Sequence, residues 1–113
     1  MEEVPDTWQV VKLTNRENGN IHHRLMCGWF GGYLNGDSWR MSSGIERIID
    51  QDTHWHIPQT SGSVYICHKN NNRLGGYASS VLARIIETAV DVDIECITIE
   101  EILEQYKYER QSV

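Results

Sequence analysis

Apolar and polar positions alternate differently in two parts of the chain. Up to residue 68 the apolar residues come in short runs broken by turn residues, which is the pattern of strands. Residues 8–13 (WQVVKL) have strand composition, and the NRENGN that follows holds Asn18-Gly19, the strongest hairpin signal in the chain. The run IHHRLMCGWFGGYL reads either as a strand pair broken by Gly31-Gly32 or as a strand and a loose loop. Gly36 and Asp37 mark another turn, and residues 39–41 and 45–49 read as strands around Ser43-Gly44. THWHI reads as a strand ended by Pro58. SVYICH is the clearest strand of all, with Val64 and Ile66 on one face and Tyr65 and Cys67 on the other.

From Ser79 the period changes. Val81, Leu82, Ile85, Ile86 and Ala89 recur at helical spacing, and Ser79 or Ser80 is the expected N-cap. DVDIECITI leaves room for a short extended piece. Thr98 and Glu101 then match a capping box, with Ile97 and Ile102 placed for a hydrophobic staple. A final helix is expected to turn Ile102, Leu103 and Tyr106 inward. The whole reads as one α+β domain over residues 1–113. An antiparallel sheet or meander over about residues 8–68 precedes two C-terminal helices at about residues 78–90 and 99–110.

Composition narrows the setting. Forty per cent of the residues are hydrophobic and ten are aromatic, enough for a packed core without metal or disulfide. Three widely spaced cysteines, Cys27, Cys67 and Cys96, make a poor disulfide framework and suit a reducing cytoplasm. The acidic opening MEEVPDTWQV does not read as a signal peptide, and no apolar run approaches the roughly 20 residues that span a bilayer. The net charge is −6 but unevenly spread: −2 over residues 1–37, +2 over residues 38–84 and −6 over residues 85–113. An acidic whole argues against non-specific nucleic-acid binding, which draws its affinity from phosphate neutralisation. The basic middle still allows one small anion. The acidic tail reads as a solvated face, or alternatively as a surface that mimics DNA.

Catalytic chemistry is not asked for by any motif. There is no nucleophile elbow, P-loop or dinucleotide fingerprint, and no cysteine has an electropositive setting. His54 and His56 share a strand face with Cys67-His68 on the next strand, but Cys67 and His68 point to opposite sides of a regular strand, so no full zinc set forms. His22-His23 with Cys27 is weaker still. Neither a metal nor any other cofactor is expected.

The stretch TSGSVYICHKNNNRLGGYASSVLARI offers something else. A polar loop feeds a helix start, where backbone N–H groups and the positive dipole end favour an anion. Lys69, Arg73 and Arg84 lie along it, with Arg40 upstream, and arginine's planar fork suits phosphate. Trp39, Trp55, Tyr65 and Tyr77 supply rings that stack on bases; Ser43 and its neighbours supply hydroxyls. The alternative is a loop with solvated arginines beside core aromatics.

The run WRMSSGIERIIDQDTHWHIPQTSGSVYICHK, with the Gly-rich loop and Ser-Val-Leu helix after it, resembles the Thoeris anti-defence sponges of bacteriophages. The resemblance covers about residues 38–84. Members of that family bind and sequester the cyclic ADP-ribose signal of TIR-domain immune enzymes. The resemblance implies a non-enzymatic binder of a cyclic nucleotide, assembled as a dimer or hexamer and working in the host cytoplasm, with no nucleic-acid or membrane partner. It implies Tyr65 or Tyr77 as the stacking ring and Arg40, Arg73 and Arg84 as phosphate holders, with Ser43 and Lys69 beside them. The alternative is an acidic protein-binding inhibitor or DNA mimic acting on a host defence protein.

Overall fold

The structure is a computed structural model that describes residues 1–31 and 36–107. Its strands are β1 (Glu2–Glu3), β2 (Thr7–Asn15), β3 (Ile21–Trp29), β4 (Ser38–Met41), β5 (Ile49–Asp50), β6 (His54–Pro58), β7 (Val64–His68) and β8 (Val92–Ile97). Its α-helices are α1 (Gly76–Thr88) and α2 (Leu103–Tyr106), and short 3-10 turns cover Lys69–Asn71 and Ile99–Glu101. The α+β class holds, with antiparallel-rich sheets followed by C-terminal helices.

Two four-stranded sheets form. The central sheet has the order β4-β3-β2-β8, and the outer sheet the order β1-β7-β6-β5. The sheets face one another across a core of Trp8, Val10, Leu25, Cys27, Ile57, Tyr65 and Cys67, closed at one end by Ile99 and Ile102. On its other side the central sheet carries α1, through Val11, Met26, Ala78 and Leu82. The layers therefore run α1, central sheet, outer sheet.

This layering accounts for the residue patterns. In β2 and β3 both faces are covered, so Val10-Val11 and Leu25-Met26-Cys27 are buried consecutively. In β6 and β7 only one face is covered. Trp55, Ile57, Tyr65 and Cys67 point in, while His54, His56, Val64 and Ile66 point out. The β2–β3 hairpin closes where Asn18-Gly19 predicts it. Asn15 Oδ1 accepts the Glu17 and Asn18 N–H groups, and Gly19 takes φ +75°, which a side chain resists.

Several expectations change in detail. The extended piece after α1 is a full strand, β8, which pairs antiparallel with β2 from Val10↔Ile97 to Asn15↔Val92. Sheet residues thus return after the first helix. Helix α1 starts earlier than Ser79, with Gly75 as an extended N-cap; a Cβ there would meet the Phe30 ring at 3.0 Å. The apolar stripe also splits. Ala78 and Leu82 reach the sheet, while Ile86 stays exposed.

The capping box at Thr98 and Glu101 forms, with the Thr98 N–H donating to Glu101 Oε2 at 2.7 Å. The helix expected after it is a 3-10 turn followed by the four residues of α2, and its expected extension to residue 110 lies outside the described residues. Tyr106 ties this segment to both sheets. Its carbonyl accepts the Ile48 N–H at 2.9 Å, and its hydroxyl meets His23 Nδ1 at 2.7 Å. Among the described residues, no helix is long and apolar enough to cross a membrane.

Candidate functional site

Strand β4 is an edge strand, and its period of two sorts its side chains. Trp39 pairs with Gly28, whose Cα faces Ala78 of α1. Trp39 therefore lies on the helix side. Arg40 pairs with Cys27 and faces the outer sheet. Beside Trp39, α1 presents Tyr77, Ser80, Val81, Arg84, Ile85 and Thr88, which recur at helical spacing on one flank. Strand edge and helix flank enclose an open groove of about 450 Å³.

The groove has two ring faces, one cation and hydroxyls. Trp39 is 39% exposed and Tyr77 47% exposed, both unusually open for large aromatics. The Arg84 guanidinium makes no hydrogen bond or ion pair with any described residue. Val81 and Ile85 form an apolar wall between them. Among the described residues, no carboxylate lines the groove. Three other cavities, of about 280 to 460 Å³, each include two: Asp50 and Glu104, Glu95 and Glu101, or Asp93 and Glu95. Each of those is also lined by one cation, Lys107, Lys12 or Arg16, which leaves a net negative lining, whereas the lining of this groove is net positive through Arg84.

In this groove the structure brings together only two of the seven residues singled out from sequence, Tyr77 and Arg84. Tyr65 is 2% exposed and lies in the core between the sheets, where it offers no ring face to a ligand. Arg40 bonds Glu3 at 3.0 Å and lies 5.7 Å from the Trp29 ring centre. The adjacent Tyr65 hydroxyl and then Glu3 raise its pKa, so this charge joins the two sheets instead of waiting for a ligand. Lys69 reaches Asp50 at 2.7 Å and covers the Trp55 ring at 4.3 Å. Its ammonium lowers the pKa of the Asp50 carboxyl. Arg73 donates to the Asn70 carbonyl at 2.8 Å, within its own loop. Ser43 accepts the Ser61 N–H at 3.1 Å and braces the turn before β7.

Sequence reasoning named Trp39 among the rings and Ser80 among the hydroxyls without carrying either into the ligand set, and it left out Thr88. The signal for the last two was present, because positions 77, 80, 81, 84 and 88 share one helical flank. Trp39 needed the pairing of β4 to place it.

Among the described residues, no group of three or more His, Cys, Asp or Glu side chains is arranged to hold a metal ion. Comparison with protein-family models, curated proteins and solved structures gives no match.

Proposed function

We propose that the protein binds a small cyclic nucleotide in the groove between β4 and α1 and sequesters it without cleaving it. The observation that carries this reading is the convergence of Trp39, Tyr77 and Arg84 on one groove where, among the described residues, Arg84 has no partner and no carboxylate is present. Two open ring faces suit a planar base, and a free guanidinium suits a phosphate. Tyr77 and Arg84 are seven residues apart, about 10 Å along the helix. Base and phosphate of one ligand then lie along the helix axis. Sequestration needs affinity and no turnover, and the groove holds no nucleophile activated by a base.

The resemblance to the Thoeris anti-defence sponges supplies the biological setting. The ligand is then a cyclic ADP-ribose isomer or a cyclic oligonucleotide signal, removed in the host cytoplasm before it reaches its immune effector. The resemblance also supports a homo-oligomer. The competing reading, an acidic inhibitor or DNA mimic, draws on the charge of residues 85–113. Part of that charge is engaged internally: Asp93 pairs with Arg16 at 2.8 Å, Glu95 with Lys12 at 3.7 Å, and Glu101 caps its own turn. This favours the groove.

The test is calorimetric titration with cyclic ADP-ribose isomers and with cyclic di- and trinucleotides, followed by heat release and identification of the bound molecule. Tight binding with intact recovery supports the reading. A cleaved product makes the protein an enzyme. No binding across the panel shifts the weight to the acidic surface.

A further inference from the structure

The outer face of the outer sheet lies across the molecule from the groove, and two imidazoles meet there. His54 of β6 and His68 of β7 are directly paired in the antiparallel ladder, so both side chains leave the same face. Their ring centres are 5.7 Å apart, with the ring planes inclined at 60°. The Thr53 hydroxyl lies 3.2 Å from His54 Nδ1, which leaves the Nε2 of that ring free.

Both backbones are held. The His54 carbonyl accepts the Gln51 N–H at 3.0 Å, and the His68 carbonyl accepts the Trp8 indole N–H at 2.7 Å. The nearest cation in sequence, Lys69, is already turned to Asp50. Two imidazoles, fixed on adjacent strands with one nitrogen tied to a hydroxyl, form half of a transition-metal coordination sphere. A partner on the far ring nitrogen is what orients metal-binding histidines elsewhere.

We infer that His54 and His68 form a two-histidine site for a divalent transition-metal ion of the kind imidazole prefers, zinc or copper, with water completing the sphere. The full zinc set weighed from sequence fails because Cys67 turns into the core. The pair does not need it. His56 lies two residues along the same face but is paired with Ile66, so it has no imidazole opposite.

The probe is Zn²⁺ alone, titrated into the full chain and followed by NMR of the histidine ring nitrogens and by calorimetry. The expected result is one ion per chain, with the His54 and His68 ring signals moving together and those of His22 and His56 fixed. His54→Gln and His68→Gln should each weaken binding at least about 10-fold, and Thr53→Val should weaken it by about 10-fold through the ring it orients. The site is overturned if zinc moves the His22 or His56 signals instead, or moves none. It is equally overturned if both glutamine variants bind as the parent does. The ring-nitrogen measurement uses the unaltered protein, so a variant that fails to fold does not remove the test.

Discussion

Arg40 and Arg84 are both exposed and both belong to the basic middle of the chain, yet they do different work. Arg40 links Glu3, Tyr65 and Trp29 across the sheets, and Arg84 has no partner among the described residues in the groove. Arg84→Ala is therefore expected to lower ligand affinity about 10- to 100-fold, the effect of losing one charge-assisted contact, with the unfolding midpoint unchanged. Arg40→Ala should leave affinity unchanged and shift stability by less than about 1 kcal/mol, as for a mostly exposed ion pair. Calorimetry and urea unfolding on the two variants separate the roles; equal loss of affinity from both would remove the groove as the site. Trp39→Ala should cost about 1–3 kcal/mol of binding if its ring stacks on a base. Residue types were legible in the sequence, and their partners were not. A run such as Trp39-Arg40 shows that neighbours point to opposite faces, but not which face meets a helix and which meets a second sheet.

At the scale of elements, the seating of α1 on the central sheet depends on Gly28. A Cβ there would lie 3.0 Å from Thr7 Oγ1 and 3.2 Å from the Ala78 Cβ. Gly28→Ala should therefore push the helix outward and cost about 1–3 kcal/mol by overpacking, read as a lower urea midpoint. It should also weaken ligand binding, because the same displacement widens the groove between Trp39 and Tyr77. A midpoint equal to the parent's would mean the helix is loosely seated. The hairpin at Asn18-Gly19, strands β6 and β7 and the Thr98–Glu101 cap were all legible, since each is fixed by local chemistry. Strand β8 was read only as an extended piece. Its order comes from pairing with β2; Val92, Ile94 and Cys96 alternate with Asp93 and Glu95, but the run is short and ends at Ile97. The start of α1 was misplaced because a capping serine is a stronger local signal than Gly75, whose use depends on Phe30.

For the whole molecule, stability against acid should depend on His23. Burial, followed by the charges of Lys12 and His22, lowers the His23 pKa below its ordinary value. The unfolded chain takes up a proton there near pH 6.5, and the folded chain does not. Stability is therefore full above about pH 6.5 and falls as the pH drops towards the lower folded value. Urea midpoints measured from pH 7.5 to 5 should decline, and His23→Gln should flatten that decline; an unchanged slope would place the titration elsewhere. The two core thiols give a second global readout. Burial pushes both Cys27 and Cys67 up, so in the native protein a maleimide should modify Cys96 first and the other two only on unfolding. The α+β class could be read from the sequence. That its strands divide into two facing sheets could not, because the division rests on long-range pairing that no local pattern encodes.

That pairing also sets an order on the life of the chain during synthesis. Strand β2 is apolar on both faces, and its partner on one side, β8, is made about eighty residues later. Until Ile97 has left the ribosome, the nascent chain carries an open, hydrophobic strand edge with no intramolecular mate. Folding should therefore be slow for a chain of this length and completed late, and the half-made protein should be the form most in need of a chaperone.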